Sequence, residues 1–239
     1  NNIGSLGRLG NQMFEYAALR GIAARHSYDW MIPPPDRKGI ENYSLHECFE
    51  LSSDRNEGII DPCQYAQEPY FHFCEDLFES CPDNISLNGF FQSWRYFANV
   101  ADELRKDYTF HKGILNPCLE MMEELEGQEP IMLHVRRGDP NLTDPRGFKW
   151  SYTQCGSMHP VQPIEYYEKA LKHFNKNQPV IVFSDSVEWV KEQDFFKPDR
   201  FMISEPVDKY ADGSFTPYGD LCLMSLCSHA IIANSSMSW

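Results

Sequence analysis

The chain has 239 residues, of which 42% are hydrophobic and 23% charged, and 35 acidic residues outnumber 21 basic ones to give a net charge of −14. This composition is that of a globular protein large enough to bury a core, and it excludes a disordered or fibrous chain. The negative charge argues against a surface that wraps nucleic acid, because phosphates favour basic surfaces. No apolar run approaches the roughly 20 residues of a membrane-spanning helix.

Cysteines and glycosylation sequons favour an oxidising compartment. Eight cysteines are present, none spaced C-x-x-C, so no zinc ribbon is predicted and the even count is compatible with disulfides. Sequons at Asn42, Asn84 and Asn141 add to this prediction, although sequons also arise by chance. We expect a luminal glycoprotein with both ends incomplete, because the chain starts at a glycine-rich turn and stops after a strand pattern.

The first half of the chain begins with a predicted helix. Residues 12–25 place apolar side chains at helical spacing, whereas residues 31–90 are rich in Pro, Asp, Cys and aromatic residues and predict short irregular elements. Further predicted elements are a strand at 85–91 and helices at 98–106 and 117–125. A breaker cluster at 127–130 places a domain junction there, which gives predicted domains 1–127 and 128–239.

The second half alternates strands with helices. Apolar runs predict strands at 131–135, 180–183 and 230–233. Helical patterns cover 164–174, 187–195 and roughly 220–227. This alternation is typical of a parallel α/β sheet.

A cluster of polar residues follows each of these three strands. The clusters are His134 to Asp139, Ser184 to Ser186, and Asn234 to Ser236. Ligands of open α/β sheets bind beyond the carboxyl ends of the strands, so neighbouring strands would bring these clusters into one crevice. Two arginines would then bind a phosphate, and a carboxylate would accept hydrogen bonds from guanine.

Each cluster also has a simpler interpretation. Arg136 and Arg137 could be a solvated surface pair. Asp185, with Glu188 three residues later, could serve as a helix cap and have no other role. Asn234 could belong to a turn or a sequon. The occurrence of all three clusters at strand ends favours the nucleotide site.

The glycines before the first helix predict a close approach of backbone to a ligand or an ordinary tight turn. Gly4, Gly7 and Gly10 lead into Asn11, and their spacing fits neither a dinucleotide fingerprint nor a P-loop. The sequence contains no D-x-D pair, so a metal-chelating site for a sugar nucleotide is not predicted.

Several segments form specific motifs. They are His134-Val135-Arg136-Arg137-Gly138-Asp139, Gly7 to Ala17 with its G-x-L-G-N-Q-M-F opening, Gly89 to Ser93, Tyr96-Phe97, Tyr166 to Ala170, Phe183-Ser184-Asp185, and the Cys227 to Trp239 block. Together these segments resemble the α1,2-fucosyltransferase family, glycosyltransferase family 11, whose H-x-R-R-G-D motif corresponds to residues 134–139. The sequence departs from this pattern at Ser186, where many members have an acid, and at Met237, where Phe is usual.

The resemblance implies a GT-B-like α/β fold of two Rossmann-like domains with parallel sheets. It implies an inverting, metal-independent transfer of fucose from GDP-fucose to the 2-hydroxyl of a terminal galactose, with an acceptor-side domain at 1–127 and a donor domain at 128–239. Animal members are type II Golgi membrane proteins, so an anchor would lie upstream of Asn1. The implied donor site comprises His134, Arg136, Arg137, Asp185, Ser235 and Ser236, together with Gly7, Gly10, Asn11 and Asn234.

The implied chemistry gives the arginines a catalytic role. Arg136 or Arg137 would stabilise charge on the departing β-phosphate, while Asp139 and Asp144 are candidates for the base. Two other functions stay open at this point. They are a glycan-binding module with a degenerate transferase fold and a peptide O-fucosyltransferase.

Overall fold

The computed structural model describes residues 3, 7–35, 43–52, 56–58, 64–138, 160–205 and 217–239. The chain forms two compact units, unit 1 (Asn1–His111) and unit 2 (Lys112–Trp239). No helix within the described ranges is long and apolar enough to cross a membrane.

Unit 1 begins with the long helix α1 (Leu9–His26). Its apolar stripe buries Tyr16, Ala18 and Ile22, which confirms the helix predicted at 12–25 and extends it at both ends. The helix is capped by Ser27, whose φ of 58° is left-handed and whose N–H donates to helix carbonyls. The described part of unit 1 also contains α2 (Leu45–Cys48), α3 (Glu75–Ser80) and α4 (Ala101–Asp107).

Two small parallel sheets complete the described part of unit 1. Strand β1 (Met31–Ile32) pairs with β2 (Asn56–Glu57), and β3 (Tyr65–Gln67) pairs with β4 (Ser86–Asn88). The strand predicted at 85–91 is therefore shorter than expected, because the chain turns at Gly89, where φ is +154°. The helix predicted at 98–106 is a 3-10 turn followed by α4.

Unit 2 is an α/β structure built on a four-stranded parallel sheet. Its strand order is β7-β6-β5-β8, so β5 lies between β6 and β8. The three predicted strands are confirmed, and the edge strand β7 is an element that the sequence prediction missed. The elements are α5 (Lys112–Glu123), β5 (Ile131–Val135), α6 (Ile164–Leu171), β6 (Val180–Ser184), α7 (Val187–Glu192), β7 (Phe201–Ile203), α8 (Tyr218–Leu226) and β8 (His229–Ile231).

The core of unit 2 covers one face of this sheet. Every residue of β5 and β6 is buried, and alternate side chains such as Leu133 and Val182 pack against Tyr167 of α6 and Val190 of α7. Each branched side chain buried in this way contributes about 1.5–3 kcal/mol. This packing fixes the carboxyl ends of β5 and β6 relative to each other.

Helix α5 belongs to unit 2, because it packs along α8. It starts at Lys112 and includes Pro117, so it begins before the helix predicted at 117–125. The compact units consequently divide after His111, whereas the sequence placed the junction at 127. The acceptor and donor roles given to the two domains stay predictions.

The described cysteines are thiols and not disulfides. Cys48, Cys74, Cys81, Cys118 and Cys222 are buried, and burial raises the pKa of Cys48 and Cys81. The structure thus shows no disulfide within its described residues, contrary to the expectation from the even count. The sixth described thiol is Cys227, and Cys63 and Cys155 lie outside the described residues.

Candidate functional site

The polar clusters after β5, β6 and β8 lie at one edge of the unit 2 sheet. Val135 at the end of β5 pairs with Ser184 at the end of β6, and Leu133 pairs with Ile231 of β8. Since these pairs are parallel, the segments that follow them leave the sheet side by side. The prediction that the three strands are neighbours is confirmed.

Asp185 joins two of these clusters. Its Oδ2 accepts hydrogen bonds from Arg136 Nη1 at 2.7 Å and from the Gly138 N–H at 2.8 Å, and its Oδ1 accepts from the Arg137 N–H at 3.0 Å. The residue that caps α7 is Ser186, and no side-chain hydrogen bond caps that helix. The interpretation of Asp185 as a mere helix cap is therefore wrong, because its carboxylate fixes the loop after β5.

These hydrogen bonds limit what Asp185 can do for a ligand. A carboxylate oxygen has two lone-pair sites, so Oδ2 is fully used and Oδ1 keeps one. In this geometry the carboxylate can accept one further hydrogen bond. Guanine would offer two donors on this edge, its N1–H and its amine, so the assignment of Asp185 to guanine stays a prediction.

Arg137 is held by an aromatic ring. Its Cζ lies 3.8 Å from the ring centroid of Trp189 in α7, and desolvation by burial lowers its pKa. Within the described part of the chain no carboxylate forms an ion pair with it, in contrast to Arg136, which pairs with Asp185. Its planar set of N–H donors therefore remains available for an anion.

A buried tyrosine borders the same arginine. Tyr167 of α6 is 1% exposed, and its hydroxyl has no hydrogen-bond partner among the described residues. Burial raises the pKa of Tyr167, so the hydroxyl keeps its proton at neutral pH. The surroundings of Arg137 are thus largely aromatic and partly desolvated, which strengthens its attraction to an anion.

His134 lies inside the sheet as a neutral imidazole. It is 3% exposed, and burial together with the nearby Arg136 lowers its pKa to about 3. Its Nδ1 is buried and has no hydrogen-bond partner among the described residues. The prediction that His134 contacts guanine is not tested by this geometry.

The loop after β8 is organised by its own hydroxyl groups. Ser235 Oγ accepts from the Met237 N–H at 3.3 Å, and Ser238 Oγ accepts from the Ala233 N–H at 3.3 Å. The Tyr166 hydroxyl donates to the Ile232 carbonyl at 2.8 Å and ties the loop to α6. Asn234 at the tip is exposed, and the donor-binding roles of Asn234, Ser235 and Ser236 stay predictions.

Comparison with known proteins decides the family. The sequence model described as "Glycosyl transferase family 11" matches residues 1–239. This chain belongs to glycosyl transferase family 11. The family 11 resemblance drawn from the motifs is thereby confirmed.

Relatives of this family 11 chain include bacterial and mammalian enzymes. An Escherichia coli alpha-1,2-colitosyltransferase is 29% identical over 98% of this chain and 83% of its own length. The Escherichia coli O-antigen biosynthesis glycosyltransferase WbnK is 26% identical over 98% of this chain and 86% of its own length. Human galactoside alpha-(1,2)-fucosyltransferase 1 is 26% identical over 95% of this chain and 60% of its own length.

A solved structure supports the fold. Fucosyltransferase NodZ from Bradyrhizobium aligns with a TM-score of 0.59 at 16% identity, over 97% of this chain and 88% of that one. A likeness at this identity shows the fold alone. With the parallel sheets described above, it confirms the predicted GT-B-like α/β class.

Some predicted site residues of this family 11 chain belong to unit 1, and others lie outside the described residues. Gly7, Gly10 and Asn11 are in unit 1, where the Asn11 Oδ1 accepts from Gln92 Nε2 at 2.7 Å, and their predicted donor contacts stay predictions. Both candidate bases and two sequons lie outside the described residues, whereas the sequon at Asn84 is on an exposed turn with φ of 55°. The residues outside are Asp139, Asp144, Asn42 and Asn141.

No metal centre is visible in the described part of this family 11 chain. The described ranges contain no group of three or more His, Cys, Asp or Glu side chains that could hold an ion.

The sequence prediction did not include Trp189 and Tyr167, which the structure places beside Arg137. Trp189 could have been predicted as a site residue, because it lies near the start of a helix that directly follows a predicted ligand-binding strand end.

Proposed function

We propose that this chain transfers L-fucose from GDP-fucose to the 2-hydroxyl of a terminal galactose on a glycan, with inversion and without a metal. Membership in glycosyl transferase family 11 supports a fucosyltransferase. The name of the human relative supports a galactoside acceptor and the alpha-(1,2) linkage. The solved NodZ structure soaked with GDP-fucose supports the donor.

The environment of Arg137 is the observation that best supports this chemistry. Arg137 presents a guanidinium at the carboxyl edge of a parallel sheet, stacked on Trp189 and without a carboxylate partner in the described residues. Departure of GDP develops negative charge on the β-phosphate, and a fixed cationic donor there stabilises the transition state more than the ground state. Removal of such a donor commonly costs about 3 kcal/mol.

Arg136 has a different task in this proposal. Its ion pair with Asp185 and the two backbone N–H groups on the same carboxylate fix the start of the loop that carries Arg137. Arg136 thus shapes the loop and adds positive charge, while Arg137 contacts the diphosphate. The two arginines together replace the divalent cation that other sugar-nucleotide transferases use at this position.

The acceptor hydroxyl must lose its proton as it attacks from the face opposite GDP. Asp139 and Asp144 follow the arginines in sequence and are our candidates for the base. A base contributes typically 10²–10⁴-fold to such a step, on the order of 3–5 kcal/mol. We further propose that the protein is a type II membrane protein of the Golgi, with its catalytic domain in the lumen, and that its sequons are glycosylated.

Three alternatives compete with this function. The colitosyltransferase relative favours colitose as the transferred sugar, which would leave the diphosphate site unchanged. A glycan-binding module would not turn over the donor. A peptide O-fucosyltransferase would modify a hydroxyl of Ser or Thr and not a sugar.

A direct assay of sugar transfer from donor to acceptor tests this proposal. We would incubate the protein with GDP-fucose and with GDP-linked colitose, each with lactose, N-acetyllactosamine and a Ser/Thr peptide, and determine the product linkage by NMR. The proposal expects an α1,2-fucosylated galactoside. Products from colitose alone, or on the peptide alone, would replace it with the corresponding alternative. The Arg137→Lys variant serves as the matched control for adventitious turnover.

A further inference from the structure

Unit 1 contains a loop whose backbone is held in an unusual shape. The loop, Gly89–Gln92, follows β4. At Gly89, where φ is +154°, a Cβ would lie 2.4 Å from Glu68 Cβ, so only glycine fits. Phe91 has a φ of +50°, which is uncommon for a large side chain. Such conformations persist only where neighbours fix them, and they concentrate at ligand sites.

Glu68 is the group that fixes this loop. It is 8% exposed, and its Oε2 accepts hydrogen bonds from the N–H groups of Phe90 at 2.8 Å and Phe91 at 2.9 Å. Two consecutive N–H groups on one carboxylate oxygen determine where the adjacent side chains point. Phe91 enters the core and is 1% exposed, while Phe90 is half-buried beside Phe71.

Phe71 and Phe90 form an aromatic platform. Their rings are stacked, with centroids 6.0 Å apart and planes 18° apart. Phe71 is 71% exposed, which is the largest exposed fraction among the large apolar side chains of the described residues. An exposed aromatic ring stacked on a half-buried one costs solvation free energy and therefore indicates a binding surface.

A pair of amides joins the same loop to helix α1. Gln92 Nε2 donates to Asn11 Oδ1 at 2.7 Å. Gly7 has a φ of +69°, and a Cβ there would overlap the Asn11 amide, so this glycine lets the amide lie against the backbone. Asn11 Nδ2 and Gln92 Oε1 retain a donor and an acceptor that no other described side chain uses.

We infer that the Phe71–Phe90 platform and the Asn11–Gln92 amide pair recognise the glycan acceptor, in place of the donor role that the family resemblance implied for Asn11. A pyranose ring presents an apolar C–H face and a rim of hydroxyls that both donate and accept, and this surface offers a ring face and an amide pair. The platform and the amides carry no charge, which suits a neutral sugar and not a nucleotide diphosphate. The inference rests on the proposed function, because it assigns that reaction's acceptor.

The test measures acceptor binding separately from donor binding. Saturation-transfer NMR with lactose and N-acetyllactosamine, in the presence of GDP, would compare the wild type with Phe71→Ala, Phe90→Ala and the double variant. Met121→Ala is the matched control, since Met121 is an exposed apolar residue of α5 in unit 2. The GDP affinity, by calorimetry, and the melting temperature would be measured for each variant.

We expect each Phe variant to weaken galactoside binding, and to raise the acceptor KM, by about tenfold. GDP affinity and melting temperature should match the wild type, as should all properties of Met121→Ala. Glu68→Ala should weaken acceptor binding in the same way, and Glu68→Gln should restore it, because the Gln carbonyl still accepts both N–H groups.

Three results would overturn the inference. The first is a galactoside saturation-transfer signal that is the same in the double variant as in the wild type. The second is the absence of any galactoside signal from the wild type with GDP bound. The third is a changed oligomeric state in the Phe variants while acceptor binding stays intact. The last result would make the platform an interface between copies of the chain. Binding of galactoside that depends on the platform but is followed by no transfer would instead contradict the proposed function and leave this inference standing.

Discussion

The guanidinium of Arg137 lies over the indole ring of Trp189, with Cζ 3.8 Å from the ring centroid. This contact joins the loop after β5 to helix α7, which follows β6. The planar cation is thereby oriented by a planar ring, and its N–H donors stay in one plane for an incoming phosphate.

Substitution of Arg137 by lysine tests the need for that plane. Arg137→Lys keeps the charge but loses the fork of donors and much of the stacking, so we expect kcat to fall by about 10²-fold or more. Circular dichroism and melting temperature should change little, because the side chain is only partly buried. Near-normal kcat in both Arg137→Lys and Arg137→Ala would remove Arg137 from the mechanism.

Substitution of Trp189 tests the role of the ring. Trp189→Leu removes the cation–π contact, worth about 0.5–2 kcal/mol, and we expect kcat to fall by about tenfold. Trp189→Phe keeps an aromatic face and should retain most of the activity. Equal kcat values for the two variants would show that the ring contributes packing alone.

Asp185 should matter for stability as well as for binding. Asp185→Ala leaves Arg136 and two backbone N–H groups without their acceptor, and since the ion pair is about a quarter exposed we expect a loss of about 2 kcal/mol. Urea unfolding measures this loss. The control Glu188→Ala, an exposed position on α7, should stay within about 0.5 kcal/mol of the wild type. Similar losses for both variants would contradict the assigned hydrogen bonds.

The buried His134 predicts acid sensitivity. Its pKa is lowered to about 3 in the folded state, against about 6.5 when unfolded, so the unfolded chain binds the extra proton first. Stability from this group is complete above pH 6.5 and declines as the pH falls towards 3, with about 2 kcal/mol lost by pH 5. The difference in unfolding free energy between pH 8 and pH 5 should shrink by that amount in His134→Gln. An unchanged difference would place the imidazole in solvent.

The unit 2 sheet could be predicted because β5 and β6 are mostly apolar, with His134 and Ser184 as their only polar residues, and each follows a proline, Pro130 or Pro179. Strand β7 was missed because it has three residues, none of them fully buried, and such a short edge strand carries little periodicity. In the first half, close neighbours of α1 come from segments far away in sequence, and no local pattern identifies them.

The candidate site was predictable only in its composition. Polar residues at three strand ends indicated a shared edge, and the parallel register places them there. The partners of each side chain could not be predicted, because the bonds of Asp185 and the stacking of Arg137 depend on how α7 packs on the sheet. The role of Glu68 could not be predicted either, because it accepts hydrogen bonds from backbone N–H groups of a loop that is distant in sequence.

Turnover should persist in excess EDTA. The arginines supply the positive charge at the diphosphate, and the sequence has no D-x-D pair. Initial rates with and without chelator, each with added Mn²⁺, check this expectation. Activity that chelation abolishes and Mn²⁺ restores would show that the metal-free mechanism is wrong.

We propose that the polar ends of β5, β6 and β8 form a guanosine diphosphate site, and calorimetry with GDP and UDP tests this site. We expect the wild type to bind GDP more tightly than UDP, because a polar site built for the guanine edge rejects a base without those groups. We also expect Arg137→Lys to weaken GDP binding less than it lowers kcat. Equal affinities for GDP and UDP, or unchanged GDP affinity after Arg136→Ala, Arg137→Ala and Asp185→Ala together, would contradict it.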